Sequence, residues 1–279
     1  MRKLLRLQTS ARLKRLDREV RNAARKPEDA DRIHDLRVSI RRLMQELEVF
    51  AEWFDAKSVK TVRQHLRKLM NRCAAVRNCD VAVEVLRAAG YAGPQLLAGL
   101  EKERQDAARH LVRKLKHWRS AGLVRKWGRN LRALPAASKE SAGGAARRLL
   151  PAMAGKLFRA GREAAQPRST RPRMHQLRLK AKEVRYTLEL FEPVFVRTPA
   201  GSATQPIMES LKGLQEKLGA INDCEATLEM IRRDRSAAAS VRRLAREREA
   251  EFRTYWKKHF GPRERVRWKA VLSAADGKP

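Results

Sequence analysis

The stretch His175-Gln-Leu-Arg178-Leu-Lys-Ala-Lys182-Glu-Val-Arg185-Tyr-Thr-Leu188-Glu-Leu-Phe191 has a gap-free counterpart 141 residues upstream, His34-Asp-Leu-Arg37-Val-Ser-Ile-Arg41-Arg-Leu-Met44-Gln-Glu-Leu47-Glu-Val-Phe50. Half of the 279-residue chain separates the two copies. Further on, Leu218-Gly-Ala-Ile-Asn-Asp223-Cys224-Glu-Ala answers Cys73-Ala-Ala-Val-Arg-Asn78-Cys79-Asp-Val at an offset of 145. The drift of four residues predicts a loop insertion, for which Arg197-Thr-Pro-Ala-Gly-Ser-Ala-Thr-Gln-Pro206 is the candidate. Motifs repeated in order at half-chain spacing read as a tandem duplication.

At 100° per residue, with His34 at 0°, Leu36, Ile40, Leu43, Leu47 and Phe50 fall between about 160° and 240° and form a core face. Arg37 and Arg41 lie in one arc with His34, beside that face. The second copy repeats the arrangement: Leu177, Ala181, Val184, Leu188 and Phe191 are on the core arc, and His175, Arg178, Lys182 and Arg185 are in the basic one. A basic run on a helix is ordinarily a solvated face. Here the run flanks the apolar stripe, recurs at the same spacing, and reads as lacking acidic partners one turn away. Glu46 and Glu48 are partial exceptions in the first copy, and Glu48 could neutralise that end of the stripe. Arg67 and Lys212, which correspond at the 145 offset, are further candidates on the third helices.

Outward from the repeat, each half reads as four helical segments. In the first these are Arg2–Arg25, Asp31–Phe54, Ala56–Ala88 and Gln95–Leu131; in the second, Ala145–Ala165, Arg173–Phe191, Ile207–Arg233 and Ala237–Leu272. No stretch alternates at period two, so the predicted class is all-α, with a first repeat over 1–134, a linker at 135–144 and a second repeat over 145–273. The Trp residues of the fourth segments, Trp118, Trp127, Trp256 and Trp268, sit at helical spacing and read as core.

Composition decides the class of partner. Sixty-four Lys and Arg against 31 Asp and Glu give a net charge of +33, on a chain that is 43% hydrophobic and so able to build a core. That charge opposes compaction by self-repulsion and is expected to meet a polyanion: nucleic acid, inorganic polyphosphate or an anionic membrane surface. No 18-residue apolar run is present, so no membrane span is predicted. Three cysteines without a CxxC pair point to a reducing, cytoplasmic setting.

The quoted residues resemble those of the CHAD family, the conserved-histidine α-helical domain, through HxLRxxxRR in the first half and HQLRLKAKEVRYTLELF followed by LGAINDC in the second. The resemblance extends over almost the whole chain, read as a single domain over 1–279. It implies two four-helix bundles related by a pseudo-two-fold axis around a basic central groove that binds inorganic polyphosphate, and an association with polyphosphate granules. It also implies that His34, Arg37, Arg41, His175, Arg178, Lys182, Arg185 and Lys212 line that groove. Met44 stands where the second copy has Arg185, and Asn78 where it has Asp223, so the first half is expected to hold phosphate less tightly. Family members often carry a triphosphate-tunnel domain with an ExExK motif; none is found here, and a stand-alone domain is expected.

Enzyme signatures fail. The His34-Asp35 pair lacks the upstream histidine of metal-dependent phosphohydrolases. No Glu-x-x-His pair suits a di-iron bundle, and phosphate-loop and nucleophile-elbow motifs are absent. No catalysis, metal or cofactor is therefore expected. The alternative to polyphosphate is nonspecific RNA or DNA binding through charge alone.

Overall fold

A computed structural model of the chain describes residues 2–131, 140–196 and 201–274. Among them the fold is all-α: α1 (Arg2–Arg25), α2 (Ala30–Val49), a 3-10 turn (Ala51–Trp53), α3 (Ala56–Ala88), α4 (Pro94–Ser120), α5 (Leu123–Asn130), α6 (Ala142–Ala164), α7 (Arg171–Phe195), α8 (Gly201–Met230), α9 (Arg235–His259) and α10 (Pro262–Ser273). Helix starts follow local chemistry. Asp29 caps α2 by accepting from the Asp31 and Arg32 amides, Asp55 caps α3 through the Ser58 amide, and Pro94, Pro172 and Pro262 occupy first turns, where an absent N–H costs nothing.

Four predicted boundaries need correction. Each fourth segment is two helices: Gly122, at φ +58°, ends α4 in the left-handed region, and Gly261-Pro262 separates α9 from α10 because proline supplies no amide to continue the ladder. The linker expected at 135–144 gives way to helix at Ala142, capped by the Ser141 hydroxyl on the Gly144 amide, 3.0 Å; its residues 135–139 lie outside the described residues. Likewise the expected loop at 197–206 is helical from Gly201, with Pro206 inside α8, and 197–200 lie outside the described residues.

The chain divides into two compact units, residues 1–139 with 230–240, and residues 140–229 with 241–279. In the first, α1 packs on α2, α4 and α5, and α3 packs between α2 and α4; in the second, α6 packs on α7 and α10. Burial follows the offsets read in the sequence. Leu5, Leu13, Leu16 and Ala23 of α1 are buried, as are Ala146, Ala154, Leu157 and Ala164 of α6, each 141 residues later. The same step links buried Leu36, Ile40, Leu43, Leu47 and Phe50 to Leu177, Ala181, Val184, Leu188 and Phe191, and Trp127 to Trp268. At 145 residues, Leu66, Leu69, Cys73 and Val76 of α3 correspond to Leu211, Leu214, Leu218 and Ile221 of α8. Each Leu, Ile, Val or Phe side chain so withdrawn from water contributes about 2 kcal/mol.

One group of positions breaks the parallel. Glu46 of α2 is fully buried, accepts the Thr9 hydroxyl and lies 2.7 Å from Arg12 Nε, whereas the corresponding residues of the second unit are Leu150, Met153 and Thr187. Burial outweighs both the hydroxyl and the guanidinium and pushes the Glu46 carboxyl up to about 7. The folded protein therefore holds this proton more tightly than the unfolded chain, whose carboxyl titrates near 4.5. The stability tied to it is full below pH 4.5 and is lost as pH rises through 7. Glu46→Gln is expected to flatten urea-denaturation stability between these limits, where the parent loses on the order of 3 kcal/mol; an unchanged slope in the variant would acquit Glu46.

Candidate functional site

Within the first unit, α2 and α3 run antiparallel. Near one end Arg63 of α3 donates to Glu48 Oε2 at 3.0 Å; near the other, Arg77 of α3 acts on His34 of α2. Glu48 is thus paired across helices and does not neutralise the His34 stripe. The same register sets Met44 level with Arg67, which is exposed. His34, Arg37 and Arg41 come together with Arg77, a residue the repeat comparison passes over because its counterpart at the 145 offset is Asn222. Arg77 also donates to both oxygens of Glu84, at 3.0 and 3.2 Å, which holds its guanidinium in place.

The electrostatics of this group favour an incoming anion. Neighbouring side chains displace water from the His34 ring, and this, with the charges of Arg41, Arg77 and Arg37, holds its pKa below the ordinary 6.5 against the opposing pull of Asp35. Arg41 Nε is buried without a hydrogen-bond acceptor, and among the described residues no carboxylate pairs with its guanidinium. A phosphate oxygen is a suitable counter-charge.

The second unit repeats the exposure of the first: His175 is exposed, as His34 is, and Arg178 and Lys182 are half-buried, as Arg37 and Arg41 are. Arg185 is engaged on both sides: its Nε donates to Glu189 at 3.2 Å, and a terminal nitrogen donates to Gln215 Oε1 at 2.9 Å. The reading that the stripe lacks acidic partners one turn away is therefore wrong at this position. Gln215 also donates to the Ala181 carbonyl, 2.9 Å, and so fixes α7 to α8 beside Lys212, which is exposed one turn earlier. Glu225 of α8 lies near His175 and 3.4 Å from Arg171, and burial raises its pKa against Arg171. The two histidines thus differ in setting, one among guanidinium groups and one near a carboxyl.

Bound phosphate should stabilise the protonated form of His34 that the empty site disfavours, so binding takes up a proton. Affinity for long-chain polyphosphate is expected to rise several-fold as pH falls from 8 to 6 and to go on rising below 6.5, since the free-state pKa lies under that value. Titration calorimetry on the parent and on a His34→Gln, His175→Gln double variant reads this; the same pH dependence in both would remove histidine from the binding.

Burial pushes the thiols of Cys73, Cys79 and Cys224 up to about 12, 11 and 11, which suppresses the thiolate. Among the described residues no three His, Cys, Asp or Glu side chains converge as a metal site, and no helix is long and apolar enough to cross a membrane. Trp127, Trp256 and Trp268 are buried, as their spacing predicts, and Trp118 is half-buried, edge-on to Trp127 at 5.2 Å.

The family model of the CHAD domain matches residues 7–232. The crystal structure of the CHAD domain from the plant Ricinus communis is similar with a TM-score of 0.69 at 20% sequence identity, covering 98% of this chain and 92% of that one. PptA from Streptomyces chartreusis is similar with a TM-score of 0.61 at 16% identity, covering 96% of this chain and 98% of its own. At these identities the structures share a fold. No curated protein matches the sequence.

Proposed function

Because the chain belongs to the CHAD family, we propose that it is a non-catalytic binding protein for inorganic polyphosphate, associated in the cytoplasm with polyphosphate granules. The observation that carries this reading is the group His34, Arg37, Arg41 and Arg77, in which Arg41 has no carboxylate partner among the described residues and burial, followed by the cationic neighbours, holds the histidine's pKa below its ordinary value. Such a group is short of negative charge and donates in several directions, which suits a chain of phosphates. The second stripe, His175, Arg178, Lys182 and Arg185 with Lys212, supplies further donors, and a long polyanion that engages both stripes gains by multivalency over a single phosphate.

Arg77, unmatched in the second half, adds one cation to the first unit, where Met44 stands in place of the Arg185 equivalent; each of these arginines is also engaged by a glutamate of its own helix, Arg77 by Glu84 and Arg185 by Glu189.

The +33 charge also favours a nonspecific nucleic-acid reading. Base stacking would want exposed aromatic rings, and three of the fourth-segment tryptophans are buried. Competition at about 200 mM salt between polyphosphate and single-stranded RNA of matched total charge separates the two. Polyphosphate should displace RNA at a concentration at least tenfold lower than the reverse exchange requires. Equal displacement in both directions would leave only the diffuse field and overturn the assignment.

A further inference from the structure

A second basic cluster lies on the other side of α3, away from the α2 stripe. Arg72 of α3 and His110, Arg113, Lys114 and His117 of α4 line a pocket of about 430 Å³. All five can donate, and no carboxylate is among them. Arg113 donates to His110 Nδ1 at 2.7 Å, which leaves Nε2 as the donor atom of the neutral ring.

The second unit shows what this interhelical position ordinarily holds. Arg72 corresponds to Lys217 at the 145 offset, and His110 corresponds to Glu251 at the 141 offset that links buried Leu111 and Leu115 to Phe252 and Trp256. Lys217 donates to Glu251 at 2.8 Å, and Arg248 adds a contact at 3.1 Å. Lys217 and then Arg248 keep the Glu251 carboxyl below its ordinary pKa, so this position carries a carboxylate counter-charge of its own. In the first unit a histidine replaces the carboxylate, and the α3 cation meets further donors from α4. The carboxylate that the second unit builds into its own chain has no counterpart among the exposed residues that line this pocket.

We propose that the α3–α4 pocket of the first unit binds one phosphoryl group, as free orthophosphate or as the terminus of a phosphate chain. Arg72 and Arg113 present guanidinium donors, Lys114 a point charge, and the imidazoles further N–H donors; this is a donor set for a tetrahedral oxyanion. The site is independent of the α2 and α7 stripes, so it stands or falls separately from the polyphosphate reading.

The full-length protein is titrated with orthophosphate and, in a parallel arm, with tripolyphosphate, while the imidazole Cε1 proton resonances of His110 and His117 are followed by NMR. Saturable shifts with orthophosphate identify the free anion as ligand; saturable shifts with tripolyphosphate alone identify a chain end. His110→Glu, which installs the second unit's own carboxylate, should weaken the His117 response at least tenfold while leaving the thermal midpoint equal or higher. Arg72→Gln should weaken it similarly. Gln95→Glu, an equal charge change at the far end of α4, should leave it within twofold. Reversal of Arg178 and Lys182 should also leave it unchanged, even where polyphosphate binding is lost. No saturable shift in either arm, or an equal response in His110→Glu and the parent, would overturn the proposal.

Discussion

Gly161→Ala is expected to destabilise the second unit by about 3 kcal/mol or more, a larger effect than any surface substitution should produce. A methyl group at this position of α6 would lie 1.7 Å from one ring carbon of Trp256 and 2.2 Å from two others. The ring is held by its aromatic neighbours. It stacks on Phe260 with centroids 4.5 Å apart and planes 6° from parallel, meets Phe158 edge-on at 6.1 Å, and is 5% exposed. Phe158 and Phe260 are held in turn by Trp268, at 5.2 and 5.4 Å. Urea unfolding followed by tryptophan fluorescence gives the number, and Gly155→Ala is the internal control. Gly155 lies in the same helix with nothing within 4 Å of an added methyl, so that change should be neutral or stabilise by up to about 1 kcal/mol. A loss at Gly161 below about 0.5 kcal/mol would show that the aromatic cluster yields.

On the binding side, the largest effect is expected from reversing two adjacent cations of the second stripe. On the proposed function, Arg178→Glu with Lys182→Glu should weaken long-chain polyphosphate binding at least tenfold, because two cationic donors become two charges that repel phosphate. The control reverses Lys156 and Arg159, both exposed on α6 and equal in charge change. If a site binds, the control costs far less, since it alters only the diffuse field. Equal losses in the two double variants, measured by filter binding at fixed salt, would show that the ordered stripe has no privilege over the remaining surface charge. Circular dichroism of both variants keeps folding defects apart from binding defects.

The core faces of α2 and α7 were legible because apolar spacing survives without knowledge of neighbours, and Leu36, Ile40, Leu43 and Leu47 are all buried where the wheel puts them. The breaks at Gly122 and Gly261-Pro262 are also written locally, in residues that disfavour continuation. Amphipathic spacing on either side hides them, since buried Trp127 and Trp268 lie on the far side of the two breaks. The Arg185–Glu189 pair stands at a spacing of four and belongs to the same local class. Arg77 and Glu46 are of another kind. Their roles depend on which helix lies opposite and in what register, and each is unmatched at its repeat position, so comparison of the halves discards them. Sequence symmetry finds what two copies share; the charge balance of each copy lies in what they do not.

The assignment of residues 230–240 to the first unit sets a limit on how the chain can be divided. Tyr91, in the turn between α3 and α4, donates its hydroxyl to Asp234 at 2.5 Å, and Asp234 caps the start of α9 through the Ala237 amide at 2.8 Å. Ala237 and Ala238 are buried there. A fragment cut after residue 139 would carry helices α1 to α5 yet lack a piece of their own structure, supplied from more than ninety residues downstream. The complementary fragment would carry that piece with nothing to receive it. The two units are therefore poor candidates for separate expression, and a nick in the chain between them should leave the fragments dependent on one another.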